Sequence, residues 1–278
     1  MRNRNGRAIL EADDLFSVRD RVVLVTGGGT GIGRGLAEGF ARRGARVVIA
    51  SRSEDHLKPV AESLAAEGLP VAWQTFDVRR MEDVQRVVAF ALERFGRLDV
   101  LISNAAASFA CPVERMSPNA WSTIVAIDLT GVFLMAKAAG EAMIRQGQGG
   151  RIINISSTAG VFGFPHFAHY SSAKAGVIVF TRTLAMEWAR YGILVNCVAP
   201  GPIETPGATD VTWPTEDLQR RIRESVALRR LGTVEEVLGP CLFLASRASG
   251  FVTGQTLVVD GCTVSIAVHG ETAASGAA

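Results

Sequence analysis

Short apolar stretches alternate with amphipathic segments along most of the chain. The apolar stretches are rich in Val and Ile, which is typical of buried strands. Most are followed by a segment with apolar residues three and four positions apart, which predicts a helix. This alternation predicts an α/β protein built on one doubly wound parallel sheet of about seven strands, with helices on both faces. The predicted strands are residues 21–26, 45–50, 71–76, 98–103, 151–156, 193–198 and 256–259.

The length and composition limit the kind of protein. The 278 residues fit a single large domain at 21–262, with an N-terminal arm at 1–20 and a small polar tail at 263–278. A net charge of +2 does not indicate nucleic acid or an anionic membrane as a partner. The first twenty residues lack the apolar core of a signal peptide, and the four cysteines show no metal-ligand spacing. We therefore expect a soluble cytoplasmic protein that acts on a small molecule and holds no metal.

A glycine-rich turn, Thr26-Gly-Gly-Gly-Thr-Gly-Ile-Gly33, separates the first predicted strand from the first predicted helix. Glycines permit positive φ and let a ligand approach the backbone closely. The free N–H groups at the start of a helix attract an anion such as a pyrophosphate. Spaced glycines inside a strand–helix–strand unit predict a Rossmann-type dinucleotide site rather than a merely structural turn. The candidate contacts are Gly27, Thr30, Gly31, Ile32 and Gly33.

Ser51 and Arg52 directly follow the second predicted strand. In a dinucleotide fold this position faces the adenosine ribose, where an acidic residue binds the 2′-hydroxyl and an arginine accommodates a 2′-phosphate. The first acids come later, at Glu54 and Asp55. We therefore favour NADP(H) over NAD(H) as the cofactor. The alternative is that Arg52 is simply a solvated residue at a helix start.

Polar or glycine-rich segments follow five different predicted strands. They are Gly27–Gly33, Asp77, Asn104, Ser157 and the segment 200–205. Because the carboxyl ends of parallel strands meet at one edge of a sheet, we expect the active site there. Spacing leaves two roles open for Asp77: it accepts a hydrogen bond from the adenine amino group, or it caps the next helix.

Tyr170 and Lys174 are the candidate catalytic pair. Residues four apart on a helix lie on the same face, one turn from each other. An ammonium beside a phenol favours the phenolate, so the pair suits proton transfer at neutral pH. Ser157, at the end of a predicted strand, is placed to hold a substrate oxygen against the phenol. Taken alone, the pair also fits an ordinary tyrosine and lysine on the surface of an amphipathic helix.

The order and spacing of these motifs resemble the short-chain dehydrogenase/reductase family over residues 17–262. That resemblance implies that Tyr170 donates a proton to the substrate oxygen, that Lys174 stabilises its phenolate and holds the nicotinamide ribose, and that Ser157 positions the carbonyl. It implies cofactor contacts from a larger set along the strand ends. These are Asp77 and Val78 at the adenine, Asn104 along the cofactor, and Pro200, Gly201, Ile203 and Thr205 near the carboxamide and pyrophosphate.

Two positions depart from the family pattern. The family usually has Asn-Asn-Ala-Gly after the fourth strand, where this chain has Ser103-Asn-Ala-Ala106. The family also has an asparagine in the long helix that relays protons to the lysine, where this chain has Asp128. Segments around Asn104, Asp128 and Pro200 are similar to the 2,4-dienoyl-CoA reductase branch, which uses NADPH. That branch lacks the tyrosine of the Tyr-x-x-x-Lys pair, whereas this chain keeps Tyr170.

We therefore expect an NADP(H)-dependent enzyme that interconverts a ketone, for example a 3-oxoacyl thioester, and a secondary alcohol. The alternative activity is reduction of an enoyl or 2,4-dienoyl thioester. A dinucleotide-binding sensor without turnover is a third class, which the intact catalytic set disfavours. The resemblance also implies a homotetramer. Specificity is expected in residues 106–114, 160–169 and 206–223, whose aromatic residues suggest an apolar pocket: Phe109, Phe162, Phe164, Phe167 and Trp213.

Overall fold

The computed structural model describes residues 15–263. Within that range seven parallel strands form one sheet in the order β3-β2-β1-β4-β5-β6-β7, which confirms the predicted fold class. The greater part of the predicted arm, residues 1–14, and the predicted tail from residue 264 lie outside the described residues. The strands are β1 (Val22–Thr26), β2 (Arg46–Ser51), β3 (Val71–Thr75), β4 (Val100–Ser103), β5 (Gly150–Ile155), β6 (Ile193–Pro200) and β7 (Thr256–Val259).

Helices connect the strands and cover both faces of the sheet. They are α1 (Gly31–Ala41), α2 (Glu54–Ala66), α3 (Met81–Phe95), α4 (Pro118–Val125), α5 (Gly131–Gln146), α6 (Thr158–Phe162), α7 (Ala168–Trp188), α8 (Glu216–Glu224) and α9 (Val234–Ala245). In the sequence, Ser117 followed by Pro118 predicts a helix start with a serine cap. The structure confirms it, because the Ser117 hydroxyl accepts a hydrogen bond from Ala120 N–H at 3.1 Å. Helix α6 was not predicted.

The core is divided by the sheet into two apolar layers. Val23 and Val25 of β1 pack into one layer with α1, α2 and α9. Val22 and Leu24 of the same strand pack into the other layer with α3, α5 and α7. A strand buried on both faces reads as a continuous apolar run, which explains why these strands were evident from the sequence.

The strand order reverses between β1 and β4. The chain first builds outward from β1 to β2 and β3, then crosses to β4 on the other side of β1. Such a reversal opens a crevice beyond the carboxyl ends of the two central strands. The glycine turn after β1 and the Asn104 segment after β4 therefore lie side by side at this crevice.

The sequence predicts one long helix from Pro118 towards Gln146, and in the structure this helix is interrupted. Residues Ala126–Thr130 form one π-helical turn between α4 and α5, a feature that often marks a functional site. Next to this turn, a side chain at Gly131 would collide with Val78, 2.7 Å away. By length and composition, the segment Pro118–Gln146 is the one helix among the described residues that could cross a membrane. However, 56% of its most apolar window is buried inside the protein, as in a core helix.

The segment after β6 is more regular than the sequence suggested. Residues 206–214 contain Gly, Pro, Thr and Asp without a hydrophobic period, which predicts a mobile loop. In the structure, however, Gly207–Thr212 form a π-helical turn. Gln219 of α8 donates hydrogen bonds to the carbonyls of Thr209 at 3.3 Å and Trp213 at 3.0 Å. A small separate apolar cluster, which we call the satellite cluster, anchors this region through Trp213, Leu218, Ile222 and Leu231.

Candidate active site

The glycine turn is shaped to receive a phosphate group. Gly27 and Gly31 have φ angles of 68° and 51°, which favour glycine. A side chain at Gly33 would overlap the Gly27 carbonyl oxygen, so the turn and helix α1 approach as closely as backbone permits. Thr30 precedes α1 without capping it through its side chain. The first N–H groups of α1 are therefore left for an anion.

Asn104 braces this turn from the neighbouring strand. Its amide nitrogen donates to the Thr26 carbonyl at 3.0 Å, and its backbone N–H donates to the Thr26 hydroxyl at 2.9 Å. A Cβ on Gly27 would lie 2.8 Å from the same amide. The structure thus places Asn104 against the glycine turn, where it fixes the turn's shape.

A cleft of about 500 Å³ runs from the glycine turn to the end of β3; we call it the adenosine cleft. One part of its wall is polar and includes Thr30, Ser51 and Arg52. Another part is apolar, which suits a planar base. The structure therefore brings six of the predicted cofactor residues together, namely Gly27, Thr30, Ser51, Arg52, Asp77 and Val78, and it adds others that sequence reasoning missed. The added lining residues are Ser53, His56, Phe76, Ala105, Ala106, Ala107 and Ile127.

Asp77 lies in this cleft and is engaged by Arg79. The Arg79 guanidinium donates to both carboxylate oxygens, at 2.9 Å from Nε to Oδ1 and 2.5 Å from Nη2 to Oδ2. This hydrogen-bonded pairing lowers the pKa of Asp77 to about 2. The carboxylate does not cap α3, which begins at Met81 with no side-chain cap. Of the two roles left open for Asp77, helix capping is therefore wrong.

Lys174 and Asp128 form a buried ion pair behind the catalytic tyrosine. Lys174 Nζ lies 3.3 Å from Asp128 Oδ1, and the two side chains are 2% and 0% exposed. Lys174 Nζ also donates to the Ile155 carbonyl at 3.0 Å, while the Ala107 N–H donates to Asp128 Oδ2 at 3.2 Å. An ammonium has three donors, so one remains for a further acceptor on the Tyr170 side.

The charges of this pair depend on each other. Burial acts to lower the pKa of Lys174, but attraction to Asp128 and then to Tyr170 outweighs it, and the pKa is raised above the ordinary lysine value. Burial raises the pKa of Asp128, and the nearby ammonium offsets this only in part. The pair therefore keeps Lys174 in its ammonium form.

Tyr170 and Ser157 line one cavity of about 170 Å³, which we call the substrate cavity. Lys174 Nζ lies 5.6 Å from the centre of the Tyr170 ring, as their spacing on one helix predicts. The Ser157 hydroxyl accepts a hydrogen bond from Ala159 N–H at 3.1 Å as the cap of α6. Its own proton is thereby left to donate to a substrate oxygen.

The residue before Tyr170 supports the same helix start. His169 is fully buried, and its Nδ1 accepts a hydrogen bond from the Tyr170 N–H at 2.8 Å. Its ring packs edge-to-face on Phe109 with 4.6 Å between the centres. Burial lowers the pKa of His169, which keeps Nδ1 available as an acceptor. The sequence offered no signal for this role.

The predicted residues after β6 separate into different places. Gly201 lines the substrate cavity, and Pro200 ends the strand beside Val259 of β7. Thr205 faces the glycine turn, with its Cβ 3.8 Å from the position that a Cβ on Gly31 would take. Ile203 is buried in the core and lines a different cavity, next to Gly232. The structure thus brings Thr205, but not the Ile203 side chain, to the glycine turn.

Taken together, a dinucleotide-type cleft lies at the same sheet edge as a cavity lined by a phenol and a hydroxyl, with a buried ammonium behind the phenol. This combination defines a dinucleotide-dependent oxidoreductase. The profile of a family described as enoyl-(acyl carrier protein) reductase matches residues 27–262. The chain belongs to the short-chain dehydrogenase/reductase family, whose members are NAD(P)-dependent enzymes acting on CH–OH and C=O groups.

Individual relatives differ in their substrates. The chain is 37% identical to a probable 2,4-dienoyl-CoA reductase of Bacillus subtilis, covering 87% of this chain and 95% of that one. It is 42% identical to a 3-oxoacyl-[acyl-carrier-protein] reductase of Synechocystis, covering 87% and 96%. Among solved structures, a gluconate 5-dehydrogenase from Burkholderia cenocepacia, in complex with NADP and tartrate, superposes with a TM-score of 0.85 at 36% identity, covering 90% and 98%.

Proposed function

We propose that this enzyme reduces a ketone to a secondary alcohol with NADPH, or runs the reverse reaction, and that Tyr170 is its general acid and base. The observation that carries this proposal is the shared cavity of Tyr170 and Ser157, with the Lys174 ammonium behind the phenol. Bound NADPH would supply the hydride to the carbonyl carbon. A 3-oxoacyl thioester is the substrate class we favour.

The roles of the side chains follow from their contacts. The Ser157 hydroxyl accepts a hydrogen bond from Ala159 N–H. Its own proton is donated to the carbonyl oxygen and holds that oxygen in place. Tyr170 gives its proton to the same oxygen as negative charge develops there. The nearby positive charge of Lys174, held by Asp128, stabilises the phenolate that remains. The Asp128 carboxylate thus acts through Lys174.

The cofactor proposal rests on the polar part of the adenosine cleft. Arg52 is exposed at the cleft beside Ser51 and Ser53, and no acidic side chain stands at the end of β2. A 2′-phosphate would find a guanidinium and two hydroxyls there. The Arg79 pairing leaves Asp77 ionised, so Asp77 remains an acceptor for an adenine amino group. We therefore infer a preference for NADP(H).

A second candidate activity is reduction of an enoyl or 2,4-dienoyl thioester. It is favoured by one specific feature, the buried carboxylate of Asp128 on the π-helical turn beside Lys174. The relatives at this identity include a probable 2,4-dienoyl-CoA reductase. Against it, Tyr170 offers a proton donor suited to a carbonyl oxygen.

The deciding experiment measures NADPH oxidation with a 3-oxoacyl and a 2,4-dienoyl thioester in parallel. We expect oxidation with the oxoacyl compound. Oxidation with the dienoyl compound alone would transfer the chemistry to Asp128 and Lys174 and leave Tyr170 without a role. No oxidation with either compound, despite tight NADPH binding, would favour a sensor without turnover.

We also propose that the enzyme is a cytoplasmic homotetramer. Helices α4, α5 and α7 expose large apolar side chains, with Val179 67% and Met186 70% exposed in a single chain. Trp121 and Phe133 are exposed on the adjoining long helix. Apolar exposure of this extent on neighbouring helices is typical of an interface. Light scattering that gives the mass of a monomer would contradict this assembly.

A further inference from the structure

None of the described residues that line the substrate cavity has a charged side chain. Its polar groups, among the described residues that line it, are hydroxyls: Ser108, Ser157, Thr158, Tyr170 and Thr212. The remaining lining consists of three aromatic rings and the Gly201-Pro202 backbone. A bound carboxylate would thus find no cation in this lining, and a polyol would have to bury several hydroxyls against rings that cannot accept them well.

The aromatic wall is built into the fold. Phe167 is 8% exposed, and its ring centre lies 6.5 Å from that of Tyr170. Trp213 is 9% exposed and packs in the satellite cluster on Leu218 and Ile222. Its backbone is held on both sides, since its N–H donates to the Ala208 carbonyl at 2.7 Å and its carbonyl accepts from Gln219. The wall therefore has a defined shape before substrate enters.

We propose that this wall selects a short alkyl chain next to the reacting carbonyl, and that Trp213 sets the length limit. This inference rests on the proposed ketone reduction and names the substrate within it. Apolar chain buried against Phe164, Phe167 and Trp213 gains binding free energy with each methylene group. The carboxylate of a polyhydroxylated acid loses its hydration and finds no cation among these lining residues, so such an acid binds less well.

The volume of the cavity limits the chain length. About 170 Å³ is below the range of roughly 300–1,000 Å³ usual for drug-sized ligands. The cavity therefore has room for a short chain and not for a drug-sized ligand. Trp213 is the largest side chain in the lining, so shortening it opens more space than any other single truncation.

The test separates binding from turnover. The ligands are saturated acyl thioesters of N-acetylcysteamine, from butanoyl to decanoyl, which have no 3-oxo group to reduce. Calorimetry with the NADPH-bound enzyme therefore measures their binding affinity without turnover. We expect affinity to rise about fourfold per methylene group while the chain still fits, to peak at or below hexanoyl, and then to fall. In Trp213→Ala the peak should move to longer chains.

Phe162→Ala is the matched control, since Phe162 is exposed on α6 and does not line the cavity. It should leave the chain-length profile unchanged. Trp213→Phe, which keeps a ring in the satellite cluster, should shift the peak by a smaller amount and serves if Trp213→Ala does not fold. A flat profile, an unshifted peak in both Trp213 variants, or tighter binding of gluconate would overturn the inference.

Turnover is then measured separately with 3-oxoacyl thioesters of the same lengths. If binding affinity depends on chain length but no NADPH oxidation occurs, the proposed function is wrong and the pocket assignment stands. NADPH oxidation that is equally fast at every chain length would overturn the pocket assignment and leave the proposed function standing. The two failures are therefore distinguishable.

Discussion

The adenosine cleft and the substrate cavity are adjacent but are built in different ways. Most of the adenosine cleft comes from residues 27–78, two successive strand–helix units, and of its charged lining residues Arg52 is exposed to solvent and Asp77 is partly exposed. The substrate cavity draws on residues from 108 to 213, and the charges behind it, Lys174 and Asp128, are fully buried. Cofactor binding thus uses groups that are close in sequence and in contact with solvent. The chemistry, in contrast, uses buried groups whose charges depend on one another. Four variants test this difference.

The largest effect is expected at the catalytic end. Tyr170→Phe should lower kcat by about 10²- to 10⁴-fold, the usual contribution of a general acid and base. NADPH affinity should change little, because the adenosine cleft is untouched. The measurement is NADPH oxidation with the active thioester, beside NADPH binding by fluorescence. Tyr191→Phe is the control, since Tyr191 lies on the surface at the far end of α7. Equal turnover in the two variants would remove Tyr170 from the mechanism.

Next in size is the loss of the buried carboxylate. Asp128→Ala leaves the Lys174 charge buried and unpaired, which should destabilise the fold by about 3–5 kcal/mol at pH 7. The exposed pair of Asp217 and Arg220 provides the comparison, and Asp217→Ala should cost less than about 1 kcal/mol. Urea unfolding of the two variants measures both. Similar midpoints would mean that Asp128 and Lys174 are better solvated than their burial indicates.

A smaller and more selective effect is expected in the adenosine cleft. Arg52→Gln removes one charge-assisted contact, worth about 1.5–3 kcal/mol, so the Kd for NADPH should rise at least tenfold while that for NADH stays the same. Arg46→Gln is a matched control at the opposite end of β2, where Arg46 pairs with Asp20. Titration of each variant with NADPH and with NADH measures the two Kd values. An equal loss of NADPH and NADH affinity would argue against a 2′-phosphate contact.

The smallest expected effect is a change in the pKa of Lys174. The chain has only three lysines, Lys58, Lys137 and Lys174, so NMR of lysine labelled with ¹³C at Cε resolves each. Asp128→Asn should lower the pKa of Lys174, because Asp128 is what raises it against burial, and leave Lys58 and Lys137 unchanged.

The sign of the linked stability follows from that raised pKa. A raised folded-state pKa stabilises the protein below the unfolded value of about 10.4, and this contribution is lost as pH rises through the folded value. The stability difference between wild type and Asp128→Asn should therefore shrink at strongly alkaline pH. An unchanged Lys174 titration in the variant would show that the two charges are not coupled.

Much of the architecture was already determined by the amino-acid pattern. The central strands β1 and β4 were evident because both of their faces are buried, which requires uninterrupted apolar runs. The glycine turn was evident because only glycine suits the φ angles of Gly27 and Gly31 and the closeness at Gly33. Tyr170 and Lys174 could be paired because four residues make about one turn of a helix. Each of these signals depends on neighbours in the chain.

Other features were decided only by the tertiary structure. The π-helical turn that carries Asp128, the pairing of that carboxylate with Lys174, and the place of Trp213 in the cavity wall all join segments far apart in sequence. Residue spacing records contacts along one element, but not which side chains meet when separate elements pack against a sheet. The protonation of Lys174 depends on the same packing, because burial and a single partner together determine its charge.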